Sequence, residues 1–270
     1  MPKTAILDPV DHDSVSEAVI AQIEDVIIAG VLKSGQKLPS ERELAQQTGV
    51  SRPKIRAAIQ TLEDRGLLTV KHGEGTFVAS LTGTALSPAM IDLFARRPQA
   101  FGDYLEFRRE VEGFAAFTAA QRATTEDLAI IQQILDEMAD ATVAFDAAHE
   151  LKLDVQFHGA VVDATHNAML VHTMASIYEL LARGVFLGRN MEYLDTTRRA
   201  VLLEQHQAIG LAILDRDAQA AAAAAEEHIN FVELSYREAN SLERRTDMAR
   251  KRRSLFTTQR PMKTRSRPPS

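Results

Sequence analysis

The 270-residue chain contains neither cysteine nor tryptophan. Without cysteine there can be no disulfide, no thiolate nucleophile and no Cys-ligated zinc or iron–sulfur centre, so any bound metal must rest on histidine and carboxylate ligands. No apolar run approaches the roughly 20 residues of a membrane span. The opening segment MPKTAILDPVDHDS lacks the basic-then-apolar order of a signal peptide, which points to a cytoplasmic protein. Aromatic residues are scarce at 6 %, as are proline and glycine at 9 and 13, while alanine and leucine are abundant, a balance that favours helix. The length suits one large domain or two of ordinary size.

Positive charge is also in deficit. A net charge of −6 argues on its face against a polyanionic partner. The distribution along the chain removes that objection: residues 33–72 hold 8 basic against 4 acidic side chains, residues 81–247 sum to −12, and residues 248–270 carry 8 basic and no acidic residues. The chain thus divides into a small N-terminal unit with a basic face, a large acidic body and a basic tail.

In residues 15–29, apolar side chains at Val15, Val19, Ile20, Ile23, Val26 and Ile27 have the spacing of an amphipathic helix, which Gly30 stops. Ser40 and Glu43 form a capping box that opens a second, short helix ended by Gly49. Ser51 caps a third helix running to about Arg65, with Pro53 tolerated in its first turn. Helix, short glycine turn, helix is a helix-turn-helix pattern. Residues 67–70 and 75–79 then alternate as strands around the turn 71–74, a hairpin that serves as a wing. The third helix opens with Arg52, Lys54 and Arg56, where a recognition helix meets base edges and phosphates, and Arg42, Lys71 and His72 extend the same surface. A lone arginine would be read as solvated; six cations on one such frame favour DNA.

Residues 14–79, above all LPSERELAQQTGVSRPKIRAAIQTLEDRGLLTVKHGEGTFVA, resemble the winged-helix domain of the GntR family of bacterial transcription regulators. The resemblance implies that Arg42, Arg52, Arg56, His72 and the wing-tip Gly73 occupy DNA-contacting positions, with the wing reaching the minor groove. Ala57 departs from the family, whose members usually carry Glu there, and leaves the start of the recognition helix more positive.

Beyond residue 85 the periodicity is helical throughout, over about 88–97, 102–122, 125–142, 146–165, 168–190, 194–215 and 218–244, which predicts a bundle. The expected fold is mainly α: an N-terminal winged helix-turn-helix with a small β-hairpin (1–80), a linker and connecting helix (81–99), an all-α helical bundle (100–244), and a basic, disordered tail (245–270). The tail either adds nonspecific attraction to DNA or is merely solvated.

Asp154 and His158 lie four apart, on one helix face, and His206 and His228 lie on two later helices, so the four converge only if three helices pack side by side. Taken alone, ordinary core histidines or a surface pair explain them better than a metal site does. Residues 100–244, however, resemble the FCD effector domain of the FadR branch of the same family, through EFRREVE (106–112), DVQFH (154–158) and DRDA (215–218) followed by His228-Ile229. That resemblance implies a divalent cation (Zn, Ni, Mn or Fe) held by Asp154, His158, His206 and His228 at the floor of an effector cavity. It also speaks against acyl-CoA as effector, because the members that bind it lack these ligands. An enclosed metal with open coordination positions suits a small carboxylate, notably a 2-hydroxy or 2-keto acid that chelates through two oxygens. Arg108, near the cavity by resemblance, either pairs with that carboxylate or forms a surface pair with Glu112 one turn on. The stretch EFRREVEGFAAFTAAQRATTEDL together with the four ligands is most similar to pyruvate-, lactate- and glycolate-responsive regulators.

The expected protein is therefore an effector-responsive transcription factor that binds a double-stranded, pseudo-palindromic operator as a homodimer, since one winged helix buries too little DNA for strong specific binding. Two rivals remain at this point: a metalloenzyme that uses the Asp/His set to activate water or oxygen, and an architectural DNA-binding protein whose body only dimerises.

Overall fold

A computed structural model of the chain describes residues 13–81, 98–141, 146–182 and 196–258. The expected helix over 88–97 and most of the linker lie outside these residues. The N-terminal unit consists of α1 (Asp13–Ile28), α2 (Glu41–Thr48), α3 (Arg52–Asp64), β1 (Leu68–Lys71) and β2 (Gly75–Val78). Val19, Ile20, Ile23 and Ile27 of α1 share one face and close over Leu44, Ile55, Ile59 and Leu62 of the next two helices.

Local chemistry sets the boundaries. Ser40 accepts from the Glu43 amide while Glu43 reaches back to the Ser40 amide at 2.8 Å, so both ends of the capping box form. Gly49 ends α2 in the left-handed conformation, φ 71. Ser51 occupies the N-cap of α3 but makes no side-chain capping bond, and Pro53 pre-sets the first turn in its place. The strands pair antiparallel with Leu68 opposite Val78 and Lys71 opposite Gly75. Lys71 is thus the last residue of β1 rather than part of the turn, which is left to His72, Gly73 and Glu74; Gly73 adopts φ 78, a conformation that favours glycine.

The body comprises α4 (Pro98–Arg122), α5 (Thr125–Ala141), α6 (Ala147–Asp163), α7 (Ala168–Ala182), α8 (Thr196–Leu214) and α9 (Ala218–Thr258). No helix among the described residues is long and apolar enough to cross a membrane. Helices α4 and α9 form the most extensive pairing; α8 packs on both and on α5, and α6 packs on α4, α5 and α7. Close approach of α4 and α9 follows from small side chains: Ala115, Ala116, Ala119 and Ala120 on one helix and Ala221 and Ala225 on the other are buried. The run Ala220–Ala225 is therefore a packing surface, two of whose members, four apart, face the core.

Two findings differ from expectation. The helix α9 continues to Thr258, so residues 245–258 of the expected disordered tail are helical, while 259–270 lie outside the described residues. The reason is that this stretch is rich in helix formers and extends a helix already nucleated in the body, so each added residue needs only propagation. The winged unit also touches the body: Lys33 Nζ donates to Asp163 Oδ2, the last residue of α6, at 2.7 Å. Beside that ion pair Gly30 turns with φ 73 against Val171 of α7, leaving no room for a side chain.

Candidate functional site

The cationic surface forms where α2 and α3 begin. Arg42, Arg52 and Arg56 are exposed and Lys54 is half-buried; Lys71, His72 and Gly73 are exposed at the hairpin tip. Glu41, which charge counting passes over, stands among these cations. Its carboxylate accepts from Arg56 Nε at 2.9 Å and Nη2 at 2.8 Å and lies 3.7 Å from Arg52 Nη2. Hydrogen bonding from Arg56 outweighs the burial of this carboxyl and holds it below the usual glutamate range. The signal for this role in the sequence is weak, since the pair spans fifteen residues and depends on the turn bringing two helix N-termini together. Glu41 holds both guanidinium groups in place while leaving Arg52 and Arg56 60 % and 68 % exposed. If Arg52 reads a base, Arg52→Ala weakens operator binding by about 1–3 kcal/mol and relaxes sequence preference. Anisotropy titrations on operator and random duplex check this, and equal losses on both would make Arg52 a backbone contact.

The second cluster lies inside the body. The structure brings together Asp154 and His158 of α6, His206 of α8 and His228 of α9, with one ligand atom from each within 4.8 Å of all the others. Asp154 Oδ1 is 3.3 Å from His206 Nε2 and 3.7 Å from His158 Nε2, and the two imidazole nitrogens are 3.4 Å apart. Donors bound about 2.0–2.1 Å from a shared ion stand about 3.4 Å apart in a tetrahedral arrangement and about 3.0 Å apart in an octahedral one, so these spacings fit a divalent cation. The three histidines are buried, while Asp154 keeps 25 % of its side-chain surface exposed.

The surroundings orient the cluster. His158 Nδ1 lies 2.9 Å from Glu112 Oε2, which fixes the ring with Nε2 facing the other ligands, and His228 Nδ1 lies 3.3 Å from Gln205 Oε1. Burial lowers the pKa of His206, and burial with the neighbouring imidazoles takes that of His228 well below the usual value, so both offer free lone pairs near neutrality. Burial works against ionising Asp154, yet hydrogen bonds and charge from His158 and His206 outweigh it and hold the carboxyl well below its ordinary range. Burial likewise opposes protonation of His158, but the charge of Glu112 and the hydrogen bond to Asp154 push its pKa up to about 9.

Arg108 is 2 % exposed and donates from Nε to Glu112 Oε1 at 2.5 Å. The expected Arg108–Glu112 pair therefore exists, but it is buried beside the cluster rather than on the surface. The guanidinium lies 5.7 Å from the ring centres of both Tyr104 and Tyr178, and its Nη2 is buried with no hydrogen-bond partner among the described residues. Glu112 is thus a site residue that sequence reasoning names only as a surface partner. It bridges Arg108 to His158, a link that i, i+4 spacing alone cannot reveal.

A winged helix-turn-helix joined to a helical body that encloses a polar, histidine-lined centre defines the class of DNA-binding transcriptional regulators. Residues 15–78 match the model of the bacterial regulatory proteins of the gntR family and residues 103–231 that of the FCD domain, and the chain belongs to the GntR family, with an FCD domain. It is 34 % identical over 221 residues to the Glc operon transcriptional activator of Escherichia coli K12, covering 81 % of this chain and 87 % of that one. It is 35 % identical over 221 residues to the putative L-lactate dehydrogenase operon regulatory protein of the same organism, covering 80 % and 84 %. The transcriptional regulator LutR of Bacillus subtilis 168 is 32 % identical over 206 residues, covering 76 % and 93 %. These relatives regulate transcription, and this chain is a regulator rather than an enzyme.

Proposed function

We propose that this regulator acts in the cytoplasm as a homodimer on paired DNA half-sites, and that a small carboxylate bound at a divalent ion in the body modulates its grip on DNA. Asp154, His158, His206 and His228 hold the ion; Arg42, Arg52, Lys54, Arg56, Lys71, His72 and Gly73 meet the DNA. The ion would be Zn, Ni, Mn or Fe, all of which accept imidazole with carboxylate ligands. When bound, it supplies Lewis acidity toward a ligand's oxygens.

The observation that carries this reading is the buried cation Arg108, whose Nη2 has no hydrogen-bond partner among the described residues, one residue of separation, through Glu112, from the histidine cluster. A buried guanidinium donor without an acceptor is costly unless a ligand completes it, and a carboxylate matches its planar geometry. A ligand with a second oxygen on the adjacent carbon would face Arg108 and the ion at once, which selects 2-hydroxy and 2-keto acids. The relative named for an L-lactate dehydrogenase operon supports this class.

A thermal-shift comparison of glycolate, L-lactate and pyruvate with propionate, on metal-loaded protein, tests the proposal. The three oxygenated acids are expected to raise the unfolding midpoint with increasing concentration, while propionate, which has the carboxylate but lacks the second oxygen, does not. Equal shifts with propionate would remove the chelating role, and no shift with any of them would remove the carboxylate class.

A further inference from the structure

Two surfaces of the body have no use in the functions above, and they complement each other. The first is the end of α9. Ala239 is its last buried residue among those described, after which the helix runs about 28 Å further to Thr258. Residues 244–255 are exposed throughout. Along this overhang Arg245, Met248, Arg252 and Leu255 recur at spacings of three and four, forming one seam in which cations alternate with apolar side chains. Met248 and Leu255 are 50 % and 64 % exposed, and neither Arg245 nor Arg252 has an ion-pair partner among the described residues.

The second surface is on α4. Asp103, Glu106, Phe107, Glu110 and Phe114 also follow three-and-four spacing on one exposed face. Phe107 and Phe114 are 40 % and 54 % exposed, a large aromatic area for one helix to leave in water. The ion pairs of α4 among the described residues use Arg108, Arg109 and Glu112, and none of them engages the three carboxylates of this stripe. One stripe is acidic and aromatic; the other is basic and aliphatic.

The overhang cannot reach the α4 stripe of its own chain. It continues α9 as one helix past the start of α4, where the Phe101 and Tyr236 rings meet at a tilt with centres 3.9 Å apart. We infer that the overhang is an exchange arm, and that its Arg245/Met248/Arg252/Leu255 seam docks on the Asp103/Glu106/Phe107/Glu110/Phe114 stripe of a second copy of this chain. Reciprocal docking gives a closed twofold pair in which each copy contributes one arm and one stripe. DNA phosphates would also satisfy the arm's cations, but they would leave the acidic and aromatic stripe uncovered. A membrane surface suits the seam less well, because Arg250 projects from the opposite side of the same helix. The inference rests on the homodimer proposed above and assigns part of its interface.

Sedimentation equilibrium of the full chain tests it by charge exchange. Arg245→Glu with Arg252→Glu, and separately Glu106→Arg with Glu110→Arg, are each expected to weaken self-association by about tenfold or more, and combining all four changes in one chain to restore most of the loss. Because the chain has no cysteine of its own, Phe107→Cys and Met248→Cys chains can also be mixed and oxidised. A disulfide-linked product of twice the chain mass is expected from the mixture in excess of that from either chain alone. Recovery absent in the combined variant, or no excess product in the mixture, overturns the arm while leaving a dimer through other surfaces intact. If the arm substitutions leave self-association unchanged and instead flatten the salt dependence of binding to a random duplex, the arm is a DNA contact and the inference fails.

Discussion

Chelation of a metal-loaded sample is expected to lower the midpoint of thermal unfolding of the wild-type protein by on the order of 10 °C and to leave His206→Ala almost unmoved. An ion present at about a thousandfold excess over its dissociation constant stabilises the native state by about 4 kcal/mol, and 1 kcal/mol shifts the midpoint of a chain of this size by about 2–4 °C. The effect is expected to be large because the donors already stand at ligand spacing: two imidazole nitrogens 3.4 Å apart and a carboxylate oxygen 3.3 Å from one of them leave little to reorganise. His206 is the informative position, for it reaches both Asp154 and His158. Scanning calorimetry with and without chelator, alongside metal analysis of both proteins, decides the matter. A full metal complement in His206→Ala would remove this residue from the ligand set.

The second large effect concerns Glu112. Its carboxylate is buried between Arg108 and His158 Nδ1, and although burial opposes its ionisation, those two partners hold its pKa well below the ordinary glutamate value. Glu112→Ala strands a buried guanidinium and is expected to destabilise the protein by about 3–5 kcal/mol, the usual consequence of removing one member of a buried ion pair. Glu112→Gln keeps an acceptor for His158 but loses the charge that supports its basicity, and metal affinity is expected to fall about 10–100-fold. Denaturant unfolding measures the first and metal titration the second. Near-wild-type stability of Glu112→Ala would show that Arg108 finds other partners.

The elements that depend on neighbours in the chain were legible from residues alone. The Ser40/Glu43 capping box, the glycine stops and the hairpin around Gly73 follow from local chemistry, and the four-residue spacing of Asp154 and His158 places them on one helix face. Convergence of His206 and His228 on that face is a property of how α6, α8 and α9 pack, and only resemblance to a family pointed to it. Glu41 and Glu112 escaped for the same reason, because each acts on a side chain from a different helix. The overhang of α9 was misread for another reason. Its composition of cations with few apolar residues matches that of a solvated tail, yet composition does not register that the segment continues an existing helix.

The contact between Lys33 and Asp163 has a mechanical consequence. Asp163 ends the helix that carries two of the four clustered ligands, five residues beyond His158, or about 7.5 Å along the axis. An α-helix is stiff over such a length, so a displacement of α6 at the histidines is expected to reach Asp163 and the lysine paired with it. Among the described residues the joint there is the Lys33–Asp163 ion pair beside the close approach of Gly30 to Val171. A shift of α6 caused by a ligand at the donors is expected to move most the part of the winged unit that lies farthest from that lysine.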